Sequence, residues 1–194
     1  MKTYVRYIIV CLFTLSPAIC RAESRNVTHN FESMYKASPR QLPLENPYKT
    51  GTTTAASGLV TTYTCNGTNA RIFLDLFNDD RDKVIAINLP DNGNFVTTDR
   101  ISNLQRVEIS YYSRTAISDL NPDIMVYIST DGTNWNEPDN ITYSSWITAT
   151  FPAGDYYVKI LNANDVGTNN VSILEIRYNY VDLSDCPNCF LYKP

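Results

Sequence analysis

The sequence predicts an all-β protein, a two-sheet β-sandwich of jelly-roll topology. From Gly58 onward, short runs of β-branched and aromatic residues alternate with clusters of Asn, Asp, Gly and Pro. No window keeps apolar residues at helical spacing for the ten or so positions that a helix needs. The Cys, Trp and Cys spacing of an immunoglobulin domain is absent, which favours a jelly roll.

The N-terminal segment 1–22 has the pattern of a signal peptide. A basic start is followed by the apolar run IIVCLFTL, a proline and small residues up to Ala22. The run is too short to span a bilayer. Cleavage after Ala22 would give a secreted protein of the periplasm, the cell surface or the extracellular medium. The alternative is a lipoprotein attached through Cys20, because PAIC resembles a bacterial lipobox.

The exported chain is expected to be acidic. Loss of residues 1–22 removes three basic residues and no acidic residue from a chain whose formal net charge is −4. No basic run occurs elsewhere, and an acidic surface repels phosphate groups. Nucleic acid is therefore not expected as a partner, and no later apolar segment is long enough for a membrane span.

The chain divides into an approach segment, a sandwich and a tail. Residues 23–57 are polar, contain spaced prolines and end in a Thr-rich tract, which predicts an extended N-terminal segment. Within this segment, HNFES fits an opening edge strand around Phe31. The sandwich is expected over residues 58–185, and residues 186–194 form a C-terminal tail with the CPNC motif.

About nine strands are expected in the sandwich. GLVTTYTC, ARIFLDLF and KVIAINL are the first three, and KVIAINL is hydrophobic enough to be central. The turn PDNG then leads into NFVTT. In QRVEISYYS, apolar and polar residues alternate, as in a strand with one solvent face, and Val107, Ile109 and Tyr111 are expected to point inward.

The stretch 123–161 is expected to form two consecutive hairpins. DIMVYIST is a strand, and Asp131 and Gly132 make the turn that follows it. FPAG is expected to be a second turn, before the strand DYYVKIL. VSILEIRYNYV is the last strand, with one side formed by Leu174, Ile176, Tyr178 and Tyr180.

Three segments resemble secreted galactose-binding-like jelly-roll modules of exported proteins from gut bacteria of the Bacteroidetes type. They are VYISTDGTNW, FPAGDYYVKI and KVIAINLPDNGNFVTTDRISNLQRVEISYY, and the first is also similar to the Asp-box of sialidases. The resemblance implies a non-catalytic module that binds glycans or stabilises a larger extracellular protein. It also implies a possible structural calcium between an N-terminal acid and the last strand, which correspond here to Glu32 and Asp182.

Four aromatic residues are candidate ligand contacts: Trp135, Trp146, Tyr112 and Tyr157. An aromatic ring presents a flat apolar surface to the C–H face of a sugar, and nearby Asn and Asp side chains can hydrogen-bond its hydroxyls. Trp135 either packs on its own hairpin or stacks on a ligand. Tyr112 and Tyr157 line one groove if they share a sheet face; otherwise they are the ordinary covering of a sheet.

Three cysteines remain after the expected cleavage: Cys65, Cys186 and Cys189. In an oxidising compartment, one disulfide and one free thiol are expected, with the bridge either between Cys186 and Cys189 or to Cys65. A redox CxxC motif needs a helix after its first cysteine, and only FLYKP follows CPNC. His29 is the only histidine, so a zinc site lacks ligands.

The function expected from these observations is carbohydrate binding without catalysis. A structural or adhesion domain that binds a surface protein is the alternative. A glycan-cleaving enzyme is the third hypothesis, and it requires a carboxylate pair in a cleft. The cluster of Asp79, Asp80 and Asp82 instead fits a solvated loop or a calcium-type ligand set, and no motif for a nucleophile and its base occurs.

Overall fold

The computed structural model describes residues 23–31, 49–55, 58–77, 82–113, 124–163 and 171–182. These residues contain eleven β-strands and no helix, which confirms the all-β prediction. The strands are β1 (Glu23–Asn30), β2 (Thr50–Thr54), β3 (Val60–Asn66), β4 (Arg71–Phe77), β5 (Asp82–Leu89), β6 (Phe95–Thr98), β7 (Ile101–Ser113), β8 (Ile124–Ser129), β9 (Asn140–Tyr143), β10 (Ile147–Asn162) and β11 (Val171–Asp182). The jelly-roll connectivity stays a prediction.

The strands form two antiparallel sheets that share β10. In sheet A, β10 lies between β9 and β7, and β7 pairs with β11. On the other side of β11 lie β1 and β5, and β5 also pairs with β4. Sheet B has the order β2, β3, β6, β10 and β8.

The long strand β10 bends from one sheet into the other. Residues 147–156 pair with sheet A, and residues 157–162 pair with sheet B. The register against β7 shifts on both sides of Gly154, and such bulges bend a strand at a sandwich corner. The expected turn at FPAG is therefore wrong, and so is the second of the two hairpins. Pro152 lies within a continuous strand, where an irregular pairing tolerates its missing N–H.

Asp155 is the side chain that holds this corner together. Its Oδ1 accepts a hydrogen bond from the backbone N–H of Asn103 at 3.1 Å, and its Oδ2 lies 3.1 Å from Arg100 Nη2. Asn103 has a φ of 53°, a left-handed conformation that Asn adopts more readily than most residues. Asp155 thus ties β10 to the start of β7, close to where the chain passes from β6 into β7.

The hydrophobic core lies between the two sheets. Val107 and Ile109 of sheet A belong to the same buried cluster as Val126 and Ile160 of sheet B. Tyr111 packs against this cluster, which confirms the inward face predicted for β7. Burial of apolar side chains from both sheets in one cluster is what holds the two layers together.

The last strand departs from simple alternation. Its register against β7 shifts between Ile173 and Glu175, and Leu174 at this bulge is only half-buried. Ile173, Ile176 and Tyr178 are fully buried. Leu174 therefore does not point into the core with Ile176 and Tyr178, as the sequence predicted. The bulge inserts one extra residue and so shifts the alternation of inward and outward side chains by one position.

Two strands come from residues 23–57, which the sequence suggested as an approach segment ahead of the sandwich. β1 pairs with β11 from Glu23, opposite Asp182, to Asn30, opposite Glu175. Phe31 follows β1 and is fully buried. β2 pairs with β3 in sheet B. The sandwich therefore includes residues that precede Gly58. All eight residues of β1 pair with β11.

A buried chain of hydrogen bonds links the inner faces of the sheets. His29 Nδ1 lies 2.9 Å from Tyr63 Oη, which lies 2.8 Å from Tyr178 Oη. The rings of His29 and Tyr178 meet edge to face, with centroids 5.2 Å apart. Burial lowers the pKa of His29 to about 4, and a backbone hydrogen bond with Leu59 acts weakly in the opposite direction. His29 is therefore a neutral core residue.

Candidate ligand-binding face

The outer face of sheet B carries a cluster of aromatic side chains around one lysine. Val158 and Ile160 of β10 are fully buried, so Lys159 between them points outward. Lys159 lies opposite Tyr127 of β8 on one side and Thr97 of β6 on the other. We call this cluster the aromatic face; it consists of Phe95, Tyr127, Trp135, Tyr157 and Lys159.

The ammonium group of Lys159 is surrounded by three rings. Its Nζ lies 4.5 Å from the ring centroid of Tyr127, 5.0 Å from that of Trp135 and 5.6 Å from that of Phe95. All three distances are within the range of cation–π attraction. Burial beside these rings lowers the pKa of Lys159 from its ordinary value. The rings are therefore held in place by the same residue that gives the face its positive charge.

The turn after β8 is built around the carboxylate of Asp131. Asp131 Oδ1 accepts hydrogen bonds from the backbone N–H groups of Thr133 and Asn134, each at 2.8 Å. Ser129 Oγ donates to the same oxygen at 2.9 Å. These hydrogen bonds hold the pKa of Asp131 well below its usual range. Gly132 has a φ of 77°, so Asp131 and Gly132 make the turn that the sequence predicts.

This turn places Trp135 beside the sheet. The backbone groups of Asn136 and Ile128 exchange two hydrogen bonds of 2.9 Å, so the chain returns alongside β8 directly after Trp135. The ring of Tyr157 lies against this turn at Gly132. A Cβ atom built on Gly132 would lie 3.6 Å from the ring, which is an ordinary contact distance. Trp135 and Tyr157 are both half-buried and thus keep part of their ring surfaces exposed.

A row of hydroxyl groups leads across sheet B to Lys159. Thr50 lies opposite Thr64, Thr64 opposite Thr97, and Thr97 opposite Lys159. Thr50 and Thr64 are exposed, and Thr97 is half-buried. The aromatic face therefore combines ring surfaces with one ammonium group and is bordered by alcohol side chains that can donate or accept hydrogen bonds.

The other two candidate contacts lie on sheet A. The Trp146 ring stacks on Arg177, whose Cζ lies 3.9 Å from the ring centroid, and Arg177 also pairs with Glu175 at 3.1 Å. Tyr112 is 38% exposed on β7, opposite Ser172 of β11. The structure thus brings Trp135 and Tyr157 together and places Trp146 and Tyr112 on a different sheet. The shared sheet face considered for Tyr112 and Tyr157 does not occur.

Sequence reasoning missed Phe95, Tyr127 and Lys159. The signal for Tyr127 and Lys159 was present, because each occupies the outward position between two core residues of its strand. Their meeting depends on β6 and β8 lying on opposite sides of β10. That strand order is a long-range property that the local sequence pattern does not contain.

A polar groove lies on sheet A. It is lined by Ser24, Gln105, Arg106, Thr150, Phe151 and Asn179. Asn179 Nδ2 donates to Asn26 Oδ1 at 2.7 Å, and Arg106 Nη2 donates to the same oxygen at 3.2 Å. Ser24 Oγ donates to Asn179 Oδ1 at 2.9 Å, and Gln105 Nε2 also donates to that oxygen. These polar groups bond to one another, which favours a role in joining β1, β7 and β11.

The predicted metal and disulfide residues fall mainly outside the described part of the chain. Glu32, Cys186 and Cys189 lie outside it, and Asp182 is described only by its backbone pairing with Glu23. Within the described ranges, no group of three or more His, Cys, Asp or Glu residues could hold a metal ion.

Cys65 is a free thiol buried in the core. Burial raises its pKa to about 12, so the thiol is neutral at physiological pH. The bridge to Cys65 is therefore not formed in this structure, because the sulfur packs among core side chains. The bridge between Cys186 and Cys189 stays a prediction.

No family model matches the chain, and no curated protein matches it. Among solved structures, the chain is similar to the K2 cleaved adhesin domain of Lys-gingipain, with 19% sequence identity and a TM-score of 0.41. The match covers 79% of this chain and 99% of that one. In the part of the chain that the structure describes, no helix has the length and apolar character to cross a membrane.

Proposed function

We propose that this protein is an exported, non-catalytic recognition module whose aromatic face binds carbohydrate. One observation carries the proposal: half-buried rings from β6, β8 and the turn after β8 meet around Lys159 of β10 on an outer sheet surface. Such a surface supplies apolar planes and hydrogen-bonding groups side by side. Sugars require this combination, because they are polar at their edges and apolar on their C–H faces.

The exposed ring surface favours Trp135 as the main contact. Its indole ring lies next to Lys159, and the turn of Asp131 fixes the backbone on which it stands. A preorganised ring loses little conformational entropy when a ligand binds. Because the face is open rather than enclosed, we expect weak binding, with a Kd of about 0.1 mM or above.

Fluorescence can locate the site, because the chain has two tryptophans and they lie on different sheets. In the Trp146→Phe variant, emission reports on Trp135 alone; in Trp135→Phe, it reports on Trp146 alone. We expect saccharide titration to change the emission of the first variant and to leave that of the second unchanged. A change confined to the second variant would move the site to sheet A. No change in either folded variant across a panel of glycans would contradict the proposal.

An adhesion domain that binds a surface protein is the second candidate function. The observation that favours it is an apolar row next to Lys159, in which Leu161 lies opposite Phe95 and Met125. These three side chains are half-buried and contiguous across three strands. In that case, Leu161→Lys would abolish capture of the protein partner, whereas saccharides would leave the emission of Trp135 unchanged.

A further inference from the structure

Within the described ranges, the ammonium group of Lys159 contacts aromatic rings and pairs with no carboxylate. Other cations of the described region have carboxylate partners: Arg100 with Asp155 at 3.1 Å and Arg177 with Glu175 at 3.1 Å. Lys49 donates instead to backbone carbonyls. For Lys159, only ring contacts occur among the described residues, and none of their carboxylates pairs with it.

We infer that the aromatic face selects acidic saccharides, with the carboxylate or sulfate group of the sugar paired to Lys159. The inference rests on the proposed function and names its ligand class. A sugar that contacts the exposed part of the Trp135 ring would lie near Lys159 Nζ, because this atom lies 5.0 Å from the centre of the indole ring. An anionic substituent there gains an ion pair that a neutral sugar cannot make.

The surroundings of Lys159 strengthen such a pair. The three rings displace water from the ammonium group, and charges interact more strongly where water is partly excluded. The lowered pKa of Lys159 has the same cause, namely burial. An incoming anion would replace, by an ion pair, the interactions with water that the ammonium group has lost. Because no described carboxylate competes for Lys159, an anionic ligand displaces no internal ion pair.

The neighbouring hydroxyl groups extend the same site. Thr97 lies directly opposite Lys159, and Thr64 lies opposite Thr97. A hydroxyl group can donate a hydrogen bond to a carboxylate or to a sulfate oxygen. The row of threonines therefore offers donors along one line that ends at the ammonium group, a suitable arrangement for a chain of acidic sugar units.

The test uses the full exported chain and a matched pair of ligands. Oligogalacturonate carries a carboxylate on every sugar, and its methyl ester has the same backbone without the charge. By calorimetry, we expect the acid to bind about tenfold more tightly than the ester, equivalent to about 1.4 kcal/mol. Added salt should weaken binding of the acid and leave binding of the ester unchanged, because salt screens the ion pair. A sulfated galactan and its desulfated form distinguish sulfate from carboxylate as the preferred anion.

Two variants assign the effect to Lys159. Lys159→Met keeps the length and apolar stem of the side chain and removes the charge, so it should lose the preference for the acid and bind acid and ester with equal affinity. Lys159→Arg keeps the charge and should retain most of the preference. Thermal melting checks that each variant folds; if Lys159→Met does not, the comparison of acid and ester on the native protein decides the question.

The outcomes separate this inference from the proposed function. Equal binding of acid and ester by the native protein, or an undiminished preference for the acid in folded Lys159→Met, would overturn acid selectivity and leave carbohydrate binding intact. If the folded native protein binds no saccharide of the panel, both ideas fail. Binding of acidic proteins without binding of any saccharide would also overturn both.

Discussion

At the scale of single residues, His29 shows how burial decides the role of a titratable group. As the only histidine of the chain, it is a natural candidate for metal binding or acid–base chemistry. Its position between the sheets, in contact with Tyr63 and Tyr178, makes it a neutral hydrogen-bonding partner inside the core. The charge state of His29 therefore affects the stability of the fold rather than chemistry at a surface site.

The stability of the protein should fall as the pH is lowered from about 6.5 to about 4. The folded pKa of His29 lies below its unfolded value, so the unfolded chain binds more protons in this window, and acid favours unfolding. The contribution of neutral His29 to the free energy of unfolding is fully present above the pKa of His29 in the unfolded chain. Its full size is about 3 kcal/mol. The measurement is the free energy of unfolding by urea as a function of pH.

The control for this pH dependence is His29→Phe, which cannot bind a proton. Comparing the two proteins cancels groups common to both, such as Asp99, whose pKa is raised by burial. The variant should be less stable at neutral pH, and its stability should decline less between pH 6.5 and pH 4. Equal slopes for the two proteins would mean that His29 titrates normally in the folded state.

At the scale of elements, the corner of β10 depends on one carboxylate. Asp155 bonds to the backbone of Asn103 and to the side chain of Arg100. The ion pair with Arg100 is solvent-exposed and contributes little, whereas the hydrogen bond to the backbone fixes the bend. The backbone contact is therefore the more important of the two.

Three substitutions separate the two contacts of Asp155. Asp155→Ala loses both and should lower the free energy of unfolding by about 1 kcal/mol. Asp155→Asn keeps an acceptor for the Asn103 N–H and should cost less, and Arg100→Ala loses only the ion pair and should cost less than about 0.5 kcal/mol. Urea titration of all three gives the order. If Arg100→Ala costs as much as Asp155→Ala, the ion pair rather than the backbone contact holds the corner.

The strands that sequence reasoning located correctly are those with unbroken alternation. The second half of β7 is the clearest case, since from Val107 onward its apolar residues recur at every second position and point into the core. The prediction failed at β10 and at Leu174 in β11, where bulges interrupt the period. A proline followed by a glycine fits a turn and also fits a bulge, and only the pairing of β10 with β7 decides between them.

The candidate site was predicted only in part, again because the local sequence does not show which strands pair. Trp135 and Tyr157 were identified as aromatic residues whose rings can pack against a sugar. Lys159 and Tyr127 were not, because their roles depend on β8 pairing with β10. Trp146 directly precedes β10, where this strand pairs with sheet A, and Tyr157 lies after the bend, where it pairs with sheet B, so the two residues reach different sheets.

At the scale of the whole molecule, the two sheets present outer surfaces of different character. On sheet A, the charged and amide side chains bond to one another, as with Arg177 and Glu175 or Asn179 and Asn26. On sheet B, Lys159 lies among aromatic rings and pairs with no carboxylate of the described residues, in a chain whose formal net charge is −4. This difference makes sheet B the better candidate for ligand recognition.

The most direct measurement of the central claim compares the saccharide affinities of Trp135→Ala and Trp146→Ala by calorimetry, with thermal melting of both as the control for folding. We expect Trp135→Ala to weaken binding by about tenfold or more, since loss of a stacking ring costs about 1–2 kcal/mol. Trp146→Ala should bind as the native protein does, because its ring stacks on Arg177 of the other sheet. Unchanged affinity in folded Trp135→Ala, or loss of affinity in Trp146→Ala alone, would contradict the assignment of the ligand site to the aromatic face.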